Sequence, residues 1–135
     1  MSDVNETTPK GPGSTLVRNA NNTIVLTLAG HLTAADLQHL LKHLLLQIVT
    51  LRDGGKRVLV FIDTSKVTSA DPDIQEIALQ MLQCDCDHIA IYSTTHGHRT
   101  GIQHLVKKLD RHDHIGVFGS EDEATAWVAE QEKLV

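Results

Sequence analysis

The sequence predicts an α/β fold: a mostly parallel sheet with an N-terminal antiparallel hairpin strand and four helices. Three observations point there. Short apolar runs at 58–62 (VLVFI), 88–92 (HIAIY) and 115–118 (IGVF) alternate with stretches whose apolar residues recur at helical spacing. The run 58–62 is apolar at every position, as suits a strand covered on both faces. Aromatic residues make up only 3% of the chain, so the interior must be aliphatic.

The elements follow in order. Residues 1–14 (MSDVNETTPKGPGS) are polar and rich in Pro, Gly, Ser and Thr, and are expected to form a disordered tail ahead of one domain over 15–135. Leu16, Val17 and Arg18 begin a short strand, 19–22 (NANN) is turn chemistry, and 24–28 (IVLTL) is a second strand, which together make a hairpin. Thr33-Ala34-Ala35-Asp36 resembles a capping box with Asp in place of Glu. The helix it starts runs to about Arg52, with Gly54 and Gly55 as its stop. Leu37, Leu40, Leu41, Leu44, Ile48 and Leu51 share one face of it. After the strand 58–62, the hydroxyls of Thr64, Ser65, Thr68 and Ser69 read as loop residues. Asp71 and Pro72 read as N-cap and first position of a second helix with Ile74, Ile77, Ala78 and Met81 inward. Ile102, Leu105, Val106 and Leu109 form the stripe of a third helix. Ser120 to Glu123 make a capping box for a fourth, with Ala124, Trp127 and Val128 inward.

Composition removes several function classes. A chain of 135 residues fits one domain that needs no metal or disulfide staple. A net charge of −5 and the scarcity of aromatics argue against nucleic-acid binding. Nine histidines make the surface charge sensitive to pH. Cys84 and Cys86 are spaced poorly for a disulfide, so a reducing, cytoplasmic setting is expected. No apolar run reaches the ~18 residues of a membrane span, and with a polar N-terminus no signal peptide is expected.

The stretches IVLTLAGHLTAADL, VLVFIDTSKVTSADPDIQEI and HIGVFGSEDEATAWV, in that order, resemble the SpoIIAA-like group, the home of STAS domains and their SEC14-like relatives. The resemblance spans about Leu16 to Glu130. It implies a non-enzymatic regulatory module that docks on a protein partner. In antagonist STAS proteins the matching passage reads Asp-Ser-Ser-Gly, and a kinase phosphorylates its second Ser. Here it reads Asp71-Pro72-Asp73-Ile74, with Asp73 where the phosphorylated Ser would stand. Either Asp73 supplies a permanent charge or the segment simply caps a helix, where the helix dipole favours acidic residues.

Partner recognition is expected at Asp71, Asp73, Gln75 and Leu79. Leu46, Val49 and Leu79 lie off the core stripes and could face a partner or a second copy of the chain. The alternative is a small-ligand carrier of SEC14-like type, for a lipid or an anion, held between sheet and first helix or at the loop 93–100. That loop follows a strand and precedes a helix, and Thr94, Thr95, His98 and Arg99 suit an anion. His39 and His43 have zinc-ligand spacing but no third ligand in their helix, and His96, His98, His112 and His114 are not fixed relative to one another, so a metal-free, cofactor-free protein is expected. No Gly-x-Ser-x-Gly elbow occurs, and no enzyme is expected.

Overall fold

Two strands open the described part of the chain in the computed structural model, which describes residues 14–19, 21–109 and 114–133. The expected tail lies outside these residues except for Ser14, and His112 also lies outside them. β1 (Thr15–Arg18) and β2 (Ile24–Leu32) pair antiparallel, with Leu16 opposite Leu26. Their turn is held by the Asn19 side chain, whose Oδ1 accepts the Asn21 and Thr23 N–H groups at 2.8 and 3.0 Å. Ser14, assigned by sequence to the tail, is buried, and its Oγ accepts the Ala29 N–H at 3.1 Å.

β3 (Leu59–Ala70), β4 (His88–Tyr92) and β5 (Ile115–Phe118) extend the sheet in parallel, giving the order β1-β2-β3-β4-β5. The helices are α1 (Ala34–Asp53), α2 (Gln75–Leu82), α3 (His96–Lys107) and α4 (Glu121–Glu132), with a 3-10 turn at Pro72–Ile74 ahead of α2. Two caps act as the sequence predicts. Thr33 Oγ1 accepts the Asp36 N–H, and Ser120 Oγ accepts the Glu123 N–H, each at 3.1 Å.

The register aligns Ile24, Val60 and Ile89 in one row and Leu26, Ile62 and Ile91 in the next. All six are buried, and the predicted leucine stripe of α1 is buried with them in one cluster. α4 packs on β3, β4 and β5 from the other face: Trp127, half-buried, sits 5.6 Å between ring centroids from both His88 and Phe118. The buried Thr23 hydroxyl is satisfied by donating to the Glu132 carboxylate of α4.

Three elements depart from the sequence reading: α3 starts at His96, inside the stretch 93–100 expected as a loop, β2 runs on past Leu28 to Leu32, and β3 departs most. β3 is 12 residues long, and the hydroxyl-rich stretch expected as a loop continues the strand. Ala29, Gly30, His31 and Leu32 pair with Lys66, Val67, Ser69 and Ala70, with register shifts between Thr27 and Ala29 and between Gly30 and His31. Gly30 sits at this irregularity with φ 73°, a left-handed conformation that glycine adopts without a Cβ penalty. The Asp71 N–H closes the extension on the Leu32 carbonyl at 2.9 Å.

At the opposite end of the sheet, Asp87 Oδ2 accepts the Val58 N–H at 2.7 Å and the Arg52 guanidinium at 3.2 Å, tying the end of α1 to the entry of β3. Burial opposes ionisation of Asp87, but the Val58 hydrogen bond and then the Arg52 and Arg57 charges outweigh it and hold the carboxyl below its ordinary value. A carboxyl lowered on folding contributes stability that is complete above the unfolded value and lost as pH falls through the folded one. The stability gap between wild type and Asp87→Asn in urea unfolding is therefore expected to be widest above pH ~5 and to narrow towards pH ~3. A gap independent of pH would contradict this. Core and surface leucines of α1 separate in the same assay. Leu44→Ala, at a fully buried position, is expected to cost about 2–5 kcal/mol, and Leu46→Ala, at an exposed one, less than ~0.5 kcal/mol.

Candidate functional site

The carboxyl ends of β2, β3 and β4 do not meet a fully packed helix layer. Between them and α2 and α3 lies a partly open cavity of about 390 Å³. Leu28, Leu32, Ile62, Val67 and Ile91 form its sheet wall, Ile74, Ala78 and Met81 its α2 side, and Ile102 and Leu105 its α3 side. Of the four stripe residues predicted for α3, Val106 and Leu109 are buried in the core, while Ile102 and Leu105 are only partly buried and face the cavity. Gly97 and Gly101, one turn apart on α3, also line it, and a Cβ at either would meet nothing within 4 Å. The missing side chains are part of what leaves the space.

Few polar groups reach this surface. Thr64 lines it, but its hydroxyl donates to the Tyr92 carbonyl at 2.8 Å. Asp71, Gln75 and His98 are the other polar lining residues. The cavity therefore brings together Asp71 and Gln75 from the expected partner face and His98 from the expected anion loop. Its open space lies mainly between the sheet and α2 and α3, with α1 contributing Leu37, whereas the sequence reading places such a space between the sheet and α1.

Asp71 does not act as the side-chain cap the sequence suggested. It occupies the N-cap position of the 3-10 turn without a side-chain cap hydrogen bond. Its Oδ1 instead meets His31 Nε2 at 2.8 Å, while His31 Nδ1 meets Ser69 Oγ at 2.7 Å. A carboxylate only accepts, so Nε2 carries the hydrogen, and in the neutral ring Nδ1 accepts the Ser69 hydroxyl. His31 and Ser69 are register partners on β2 and β3, so this chain of bonds links the sheet extension to the segment entering α2. Sequence reasoning missed His31, because its partner stands 40 positions away.

The other predicted residues are spread more widely. Asp73 and Gln75 are exposed. Leu79 is half-buried against the core, which removes much of the surface expected of it. Thr94 and Thr95 are exposed, and Thr95 takes the N-cap position of α3 without a side-chain hydrogen bond. Arg99 turns back, donating to the Ser93 carbonyl at 3.1 Å and lying against Gly119, so its guanidinium does not converge with His98 on the cavity.

His39 and His43 place their Nε2 atoms 3.2 Å apart. Burial first, then the neighbouring His39 and Lys42, lower the pKa of His43. Among the described residues no group of three or more His, Cys, Asp or Glu is arranged to hold a metal ion. Cys84 and Cys86 are both buried, with Sγ atoms 3.5 Å apart and no disulfide between them.

The sequence model of the SpoIIAA-like family matches residues 23–129. Nothing among curated proteins matches. Among solved structures, an uncharacterised protein of the DUF3478 family with a SpoIIAA-like fold, from Shewanella loihica, superposes with a TM-score of 0.63 at 14% identity, covering 94% of this chain and 98% of that one. The anti-sigma factor antagonist SpoIIAA, in its unphosphorylated form, superposes with a TM-score of 0.60 at 13% identity, covering 87% of this chain and 98% of that one. Both likenesses establish the fold. Among the described residues no helix is long and apolar enough to cross a membrane.

The His31–Asp71 contact predicts energetic coupling. Both side chains are about half exposed, so a double-mutant cycle of His31→Ala and Asp71→Ala in urea unfolding is expected to give a coupling of about 0.2–1 kcal/mol. Strict additivity of the two losses would show that the contact is not maintained in solution.

Proposed function

This chain belongs to the SpoIIAA-like family, and on that premise we propose that it is a non-catalytic binding module whose cavity takes a small apolar molecule with one polar end. The observation that carries this reading is the aliphatic cavity itself. Its volume of about 390 Å³ falls within the ~300–1,000 Å³ of ligand pockets. It lies outside the carboxyl ends of parallel strands, where open α/β sheets bind ligands. An apolar body would displace water that finds few hydrogen-bond partners on such walls. Asp71, Gln75 and His98 are the polar groups available to a head group.

The Ser69–His31–Asp71 chain has the residue types of a hydrolase, and its placement supports a structural role instead. Leu32 and Ala70 line the cavity, and each directly follows His31 or Ser69 on its strand. Alternation along a strand turns His31 and Ser69 to the other side. The hydroxyl is thus directed away from any molecule held in the cavity.

Protein docking is a second reading, favoured by the structural likeness to an anti-sigma factor antagonist. Asp73 and Gln75 are exposed on the segment that also borders the cavity. In this reading Asp73 presents a constant negative charge, and ligand occupancy and docking share the segment 71–75.

Gly101→Leu tests the cavity directly. The new side chain extends from a position where a Cβ meets nothing within 4 Å. It also replaces a helical glycine, which favours the helix by up to ~1 kcal/mol. Binding of anilinonaphthalene sulfonate, an apolar ring system with one anionic group, is expected to fall at least tenfold in fluorescence titration while thermal stability holds or rises. Undiminished binding by a folded Gly101→Leu protein would contradict the assignment.

A further inference from the structure

We propose that the outer side of α1 carries a second, separate binding site, at which His39 and His43 chelate one divalent transition-metal ion of the zinc and copper class through their two Nε2 atoms. The two residues stand at i and i+4, so their side chains stack on one side of the helix. Two metal–imidazole bonds of the usual length place their nitrogens about 3.3 Å apart at the tetrahedral angle and about 2.9 Å apart at a right angle. The observed separation of 3.2 Å lies between these two bites. Without metal, one ring donates its Nε2–H to the other; to bind a metal ion that ring carries its hydrogen on Nδ1 instead, so that each neutral ring offers an Nε2 lone pair.

The pair is held by a rigid support. α1 runs for 20 residues, Thr33 caps its start, and its leucine stripe is buried in the core. The helix fixes where the two rings stand, so bringing their nitrogens to a common ion takes rotation and a tautomer change of the rings and no movement of the backbone. Both histidines are only partly buried, so further coordination positions remain open to water. Gln47 continues the same i, i+4 row, and its buried Oε1 has no hydrogen-bond partner among the described residues.

The chemistry of the donors selects the ion. Imidazole nitrogens suit zinc, copper and nickel, whereas calcium and magnesium require sets of oxygen ligands. No carboxylate joins the pair in a three-ligand group among the described residues, and Lys42 stands beside it, so the ion is held by coordination rather than by net charge. This site does not depend on what the cavity binds.

The test is isothermal titration of chelator-treated full-length protein with Zn²⁺, repeated with Cu²⁺, for wild type and for His39→Gln and His43→Gln. Circular dichroism confirms that the variants fold. One equivalent is expected to bind wild type, and either substitution is expected to weaken binding by at least ~10-fold, the loss found even for outer partners of metal ligands. A second readout is the imidazole nitrogen spectrum, in which metal is expected to shift Nε2 of His39 and of His43. Absence of binding by wild type overturns the proposal, as does binding that survives both substitutions or that disappears only when His96 and His98 are replaced.

Discussion

The pairing of β2 with β3 past the end of β4 is the constraint on which the candidate site rests. β3 pairs with β4 only as far as Asp63 and Tyr92, yet it continues beside β2 to Ala70. The resulting two-stranded extension carries Leu32, Val67 and Ala70 to the cavity wall and delivers Asp71 to its rim. Among the described residues no further strand holds this ribbon on its β4 side. The Asp71 N–H bond to Leu32 and the His31 bonds to Ser69 and Asp71 fasten its far end. The left-handed Gly30 accommodates the shift in register that aligns these residues.

The rest of the molecule supplies a rigid frame for that ribbon. One face of the sheet is sealed by α1 with large aliphatic side chains, and the other carries α4. The cavity opens where the helix layer turns to small residues: Ala78 on α2, then Gly97 and Gly101 on α3. Interiors are normally packed to near crystal density, so an aliphatic hollow of this size stands apart from the core around it. An apolar occupant that binds only the folded chain adds stability in proportion to its occupancy, which links the proposed function to the folding equilibrium.

Much of the frame was legible in the sequence because its signals are local. The Thr33 and Ser120 caps, the leucine stripe of α1 and the apolar runs of β4 and β5 each declare themselves within a few residues, and the structure has them there. The family resemblance likewise survives comparison over residues 23–129. The extension of β3 was hidden because Thr64, Ser65, Thr68 and Ser69 have the composition of a turn. Their extended conformation comes from β2, more than thirty positions earlier, as in the pairing of His31 with Ser69. Asp71 looked like a cap for the same reason, since nothing nearby reveals His31. The cavity was hidden differently. Ile102 and Leu105 keep the same helical spacing whether they meet a packed core or an open space, and only Gly97, within the expected loop, and Gly101, just before that stripe, marked the difference.

Native-state hydrogen exchange at the amides of residues 66–71 measures the ribbon most directly. Strand pairing with β2 predicts slowed exchange along this stretch, with the Asp71 amide clearly protected by the Leu32 carbonyl. Exchange there at the rate of an unstructured hydroxyl-rich loop would remove the wall of the cavity and contradict the account.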